Sequence, residues 1–147
     1  FNNLKKILPK YFSSFPIDKK EVSHAILDKK NNLSKIVKII HFEIRKKMKI
    51  FLTRYKNKKI VILDIPLLLE NKINKKNDIL IFIKAKKSEV FKRLKRRKNF
   101  NLNLFYKFKK LQLPLDYKKK KSRFIIKNNF TNKSVKKEIN KIIKKIL

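Results

Sequence analysis

The residues able to do chemistry are few and widely spaced. Asp64 closes a continuous apolar run, Ile60-Val61-Ile62-Leu63, and is followed by Ile65-Pro66-Leu67-Leu68-Leu69-Glu70. An acid at the end of an apolar strand can hold a divalent cation beside a phosphate, or it can cap the turn that follows. Arg93 and Arg97 stand four apart, the spacing that puts two guanidiniums on one helix face, where they could point into a cleft or simply be solvated. His41 borders an apolar stripe, where a histidine is commonly a satisfied member of the core. Asn128 follows the short run Phe124-Ile125-Ile126. In open α/β sheets ligands bind beyond the carboxyl ends of the strands, which is where Asp64 is expected to lie.

Some chemistries are excluded. The sequence has no Cys, which removes disulfides and thiolate metal sites and points to a reducing cytoplasm. It also has no Gly, where average usage near 7% predicts about 10 in a chain of this length. A glycine-rich phosphate-cradling loop therefore cannot be built from these 147 residues.

The elements that must position these residues follow from periodicity. Residues 18–30 predict a helix with Val22, Ile26 and Leu27 on one side. A longer helix carries Leu33, Ile36, Val37, Ile40, Ile44, Met48, Phe51 and Leu52 at steps of three or four. The runs at 59–65, 79–83 and 124–126 predict buried strands of the parallel type. A helix N-capped by Ser88, with Val90, Phe91 and Leu94 inward, lies between the second and third. Val135, Ile139, Ile142, Ile143 and Ile146 predict a final helix, with Lys144 and Lys145 at the negative end of its dipole. Strands alternating with helices indicate an α/β sheet with right-handed crossovers.

The formal net charge is +34, from 44 Lys and Arg against 10 Asp and Glu. Such a charge is the usual footprint of a nucleic-acid binder. Here, however, the lysines are spread along the whole chain among abundant Asn, Ile and Phe, the pattern an AT-rich coding bias produces without any ligand. No apolar run is long enough to span a membrane.

Several segments resemble the dephospho-CoA kinase family. Asp64 to Glu70 is similar to its D-x-P-L-L-F-E segment, with Leu69 in place of Phe. Arg93-Leu94 followed by Arg97 resembles R-L-x-x-R at the start of its lid. Fifteen residues on, Gln112-Leu113-Pro114-Leu115-Asp116-Tyr117-Lys118 resembles Q-x-P-x-E-x-K. Ser122 to Asn128 resembles A-D-x-V-I-x-N, Ile17-Asp18-Lys19 resembles I-D-R, and Ile36 to His41 resembles L-x-x-I-x-H-P. Departures include Phe42 for Pro, Lys19 for Arg, Arg123 for an acid, and Phe108 where the lid often carries Arg. The resemblance covers about residues 17–147.

It implies a P-loop kinase-type parallel sheet flanked by helices, with a helical substrate-binding subdomain and a helical lid. The implied divisions are 1–57 for acceptor binding, 58–96 for the nucleotide-binding core, 97–117 for the lid, and 118–147 for the last strand and helix. The implied activity is ATP-dependent phosphorylation of the ribose 3′-hydroxyl of dephospho-CoA with Mg²⁺, in the cytoplasm, with no specific nucleic acid or membrane partner and the oligomeric state open. Arg97 is then the catalytic lid residue, and Arg93 and Asn128 join it at the nucleotide. His41, Pro66, Leu67, Leu68 and Glu70 shape the acceptor side, and Asp64 holds the metal shell. The family's glycine-rich loop and catalytic base would precede Phe1. The rival expectations are a basic RNA- or ribosome-associated protein and a degenerate, non-catalytic kinase domain.

Overall fold

In the computed structural model, which describes all residues from Phe1 to Leu147, the chain divides into two units, Phe1–Asp64 and Ile65–Leu147. The first is helical: α1 (Asn2–Ile7), α2 (Lys19–Asp28) and α3 (Asn32–Arg54). Part of its core is drawn from a segment the periodicity leaves unassigned, residues 4–12. Leu4, Leu8, Tyr11 and Phe12 are buried with Ala25, Ile26 and Ile36, and Phe12 is completely enclosed. Asp18 caps α2 by accepting from the Lys20 N–H at 2.8 Å. The turn from α2 to α3 is held by the buried Asn32, whose side-chain amide donates to the Ala25 carbonyl at 2.8 Å. The Tyr11 hydroxyl donates to the Asp28 carboxylate, tying the segment after α1 to the end of α2.

α3 is the long helix expected, yet its apolar stripe is only partly covered. Ile36 is buried, while Ile40, Ile44 and Phe51 are exposed. A helix of 23 residues is about 35 Å long, and the contacts it makes are with α1 and α2.

The run at 60–65 corrects the sequence reading. It forms no strand, and Ile62 is 83% exposed. Strand formation needs a neighbour for every second N–H and C=O. The only pairing present is between β1 (Ile81–Lys84) and β2 (Phe124–Lys127), so an apolar run without a partner strand remains irregular.

The second unit is mixed α/β. β1 and β2 pair in parallel with Ile81 opposite Phe124 and Lys84 opposite Lys127. The Leu80 carbonyl accepts from the Arg123 and Phe124 N–H groups, and the Lys84 carbonyl from Asn128, which prolongs the ladder at both ends. β1 starts two residues later than the apolar run suggested. Between the strands lie α4 (Lys87–Lys95), α5 (Leu102–Lys110) and α6 (Leu115–Lys121), and α7 (Asn132–Ile146) packs on β2 with Ile142 and Ile126 buried. Ser88 is not the cap of α4. Lys86 occupies that position, its carbonyl accepting from the Val90 N–H at 3.0 Å, so the chain turns helical as soon as it leaves the sheet. Rings of Phe91, Phe100 and Phe105, with centroids 5.3 to 6.3 Å apart, join α4 to α5. Each such pair contributes roughly 0.5–1.5 kcal/mol beyond the area it buries.

Candidate functional site

Because β1 and β2 are parallel, their carboxyl ends share one edge, and three side chains gather there. Asn128 follows β2 directly. Its N–H donates to Lys84 at the end of β1 at 2.8 Å, and its Oδ1 accepts from the Phe130 N–H at 2.7 Å. That bond closes an Asx turn with Phe130 at φ 64, a left-handed conformation uncommon outside glycine. Arg93 comes from α4 and lays its guanidinium over the Phe130 ring, 4.1 Å from the centroid. Arg93 and Asn128, paired only by resemblance in the sequence, thus meet through Phe130. Phe130 itself has no sequence signature, because an isolated aromatic after two asparagines carries no periodic signal.

Arg97 is not a helical neighbour of Arg93. α4 ends at Lys95, and Arg97 sits in the following turn, its N–H bonded to the Leu94 carbonyl and its own carbonyl accepting from Phe100. Helical spacing therefore does not describe this pair, and the Arg97 side chain is exposed.

The segment from Pro66 to Ile73 forms a tight loop. The Asn71 backbone N–H and side-chain amide both donate to the Leu67 carbonyl, at 3.1 and 2.7 Å. Leu67, Leu68 and Glu70 are half-buried and Pro66 is exposed. Glu70 Oε1 accepts from the Leu113 N–H at 3.0 Å and pairs with the Lys118 ammonium at 2.5 Å. Burial pushes the Glu70 carboxyl up, but the Lys118 ammonium and the backbone donors outweigh it and hold it below the usual carboxylate range. Two segments picked out separately in the sequence, 64–70 and 112–118, are thereby joined by one oxygen atom.

His41 belongs to the first unit. It is half-buried in the wall of a groove of about 570 Å³ where Lys6 and Ile7 of α1 face Lys38, Phe42 and Arg45 of α3. The groove lining has cations and apolar surface but no acid, which suits an anionic ligand with an apolar portion. Asp64 is exposed and belongs to neither of the two ion pairs, Glu70–Lys118 and Glu138–Lys141. No group of three His, Asp or Glu side chains assembles a metal cage. A lone exposed carboxylate fits Mg²⁺, which keeps several waters and takes its remaining ligands from substrate phosphates.

The family model for dephospho-CoA kinase matches residues 14–137. The chain belongs to the dephospho-CoA kinase family. Every candidate residue, from His41 to Asn128, falls inside the matched span, and this kinase family favours phosphoryl transfer over RNA association for the basic chain. Similar proteins include the dephospho-CoA kinase of Wolbachia sp. subsp. Brugia malayi, 29% identical over 140 residues covering 94% of this chain and 71% of that protein. The dephospho-CoA kinase of Bartonella henselae is 27% identical over 95% of this chain and 72% of its own length. That of Rickettsia typhi is 29% identical over 96% and 72%. No helix is long and apolar enough to cross a membrane.

Proposed function

We propose that the gene product is a cytoplasmic ATP:dephospho-CoA kinase that phosphorylates the ribose 3′-hydroxyl of its acceptor. The match over residues 14–137 carries this reading. The architecture it implies is a P-loop kinase-type sheet with an acceptor region at 1–57, a nucleotide core at 58–96, a lid at 97–117 and a closing strand and helix at 118–147.

Phosphoryl transfer asks a protein mainly for positioning and charge compensation. Arg93 and Asn128, at the carboxyl edge of the β1–β2 pair, line the nucleotide. Arg93 is pre-oriented by Phe130, so little rotamer freedom is lost when it meets a phosphate or a base. Arg97, exposed at the root of the lid, swings over the phosphates as the lid closes and adds charge where water has been excluded. His41 and the basic groove around it are acceptor-side elements in the first unit, and Pro66, Leu67, Leu68 and Glu70 are acceptor-side residues in the second. Asp64 holds the Mg²⁺ shell. When bound, that ion neutralises charge on the transferring phosphoryl group.

The backbone cradle for phosphates in this fold requires glycines, which these 147 residues lack. The assay uses the full gene product, with dephospho-CoA, ATP and Mg²⁺. Formation of CoA at a rate saturable in both substrates is the expected result. Tight dephospho-CoA binding without turnover would instead identify a degenerate domain, and salt-resistant binding to one RNA without kinase activity would identify an RNA-associated protein.

A further inference from the structure

The loop at 66–73 is held in a conformation its residue types do not favour. Leu67 has φ 56 and Lys72 has φ 50, so both adopt the left-handed region without being glycine. Such residues persist only where the surroundings over-determine them, and they concentrate at functional sites. Within the loop the Leu67, Leu68 and Leu69 carbonyls accept from Asn71, Ile73 and Lys72 respectively, at 3.1 to 3.2 Å. These bonds close the loop on itself but fix it to nothing else.

Glu70 supplies that attachment. It stands between the two left-handed residues, and its Oε1 takes the Leu113 N–H and the Lys118 ammonium together. Leu113 lies in the short joint between α5 and α6, and Lys118 is on α6 itself. The pair is shielded, with side-chain exposures of 10% for Glu70 and 19% for Lys118, so solvent does little to screen it. A carboxylate already matched by an ammonium and a backbone donor is poorly placed to serve as the principal contact for a substrate.

We infer that Glu70 is a positioning residue, a clasp that fastens the left-handed 66–73 loop to the joint at the far end of the lid, so that loop geometry and lid position change together. The clasp links the acceptor-side residues Pro66, Leu67 and Leu68 to the segment that must move during turnover. It rests on the kinase reading only for its catalytic consequence, since the mechanical link concerns the loop and the joint alone. A hinge contact of this kind is felt in kcat even when it never touches the reacting atoms.

The test uses the ¹⁵N-labelled full gene product with Glu70→Ala, Glu70→Gln and Lys118→Met. Hydrogen exchange is read at the Leu113, Asn71 and Ile73 amides, alongside kcat and both KM values. Loss of either partner should speed exchange at all three amides by about tenfold or more. It should also lower kcat by about tenfold while KM for ATP stays within about twofold. Glu70→Gln keeps an oxygen for Leu113 and should recover part of both losses, which a variant that merely unfolds would not do. Unchanged exchange at the loop amides in Lys118→Met and Glu70→Ala overturns the clasp. So does a rise in KM for dephospho-CoA alone in the Glu70 variants, which would make the carboxylate a direct substrate contact. If the unsubstituted protein fails to phosphorylate dephospho-CoA, the kinase reading falls, and the exchange data still decide whether Glu70 fastens the loop.

Discussion

The Arg93 guanidinium rests on the Phe130 ring at 4.1 Å, and the turn that presents the ring is closed by Asn128. A stacked arginine at a partly exposed ring gains roughly 0.5–1 kcal/mol, and lysine cannot reproduce the planar contact. Arg93→Lys and Phe130→Ala should therefore each raise KM for ATP severalfold in the full gene product, with a smaller effect on KM for dephospho-CoA. Steady-state kinetics with each substrate varied in turn checks this. Equal effects on both KM values would remove the pair from the nucleotide site.

Arg97 lies beyond the end of α4 in an exposed turn, unconstrained by any helix. Arg97→Ala should lower kcat more than it raises KM for dephospho-CoA, because a lid arginine acts on the charge of the closed, reacting complex. An unchanged kcat would reduce it to a surface charge.

Glu21 gathers the N–H and hydroxyl of Ser13 and of Ser14 on its two carboxylate oxygens. The Ser13 backbone N–H, followed by the two serine hydroxyls, holds its pKa at about 2 against an ordinary 4.5. Its folded value lies below its unfolded value, so the stability it adds is present in full above the unfolded value. That stability drains away as pH falls from the ordinary carboxylate range towards 2. Urea unfolding followed by circular dichroism from pH 6 down to pH 2 should show a shallower acid-side loss of stability in Glu21→Gln than in the parent. Glu70 also titrates low and contributes in the same direction, so the comparison between variant and parent is what isolates Glu21.

Phe12 and Ile62 reverse the ranking that residue patterns suggest. Phe12 sits outside any predicted element yet is fully enclosed, whereas Ile62, at the heart of the most strand-like run, is 83% exposed. Phe12→Ala should destabilise by about 3–5 kcal/mol, and Ile62→Ser should stay within about 0.5 kcal/mol. Chemical denaturation of the two variants measures both.

That reversal marks how far the sequence could be read. α2, α3, β2 and α7 were legible because their apolar spacing is local, even where, as at Ile40, Ile44 and Phe51 of α3, the stripe is not covered. α1 and the Tyr11–Phe12 core were not. Six helical residues present too short a stripe to register, and burial there is decided by α2 and α3 folding over them. The strand expected at 60–65 failed for the opposite reason, since a strand is a relation between two segments and no period reveals whether the partner is present. At the site, Glu70 was visible as a motif member. Its bonds to Leu113 and Lys118 were not, because they join residues 43 apart in sequence for Leu113 and rely on the loop's left-handed turns.

Those left-handed turns at Leu67, Lys72 and Phe130 occur in a polypeptide with no glycine at all. Each is disfavoured by about 1–2 kcal/mol relative to a right-handed conformation. The same absence acts on the denatured ensemble, however, where a side chain in place of glycine removes accessible backbone states and, at positions whose native conformation tolerates it, shifts the balance towards the native form by about 0.4–1 kcal/mol. Three unfavourable corners thus accompany a stiffer disordered chain, and the second effect operates only at positions whose native backbone is right-handed or extended.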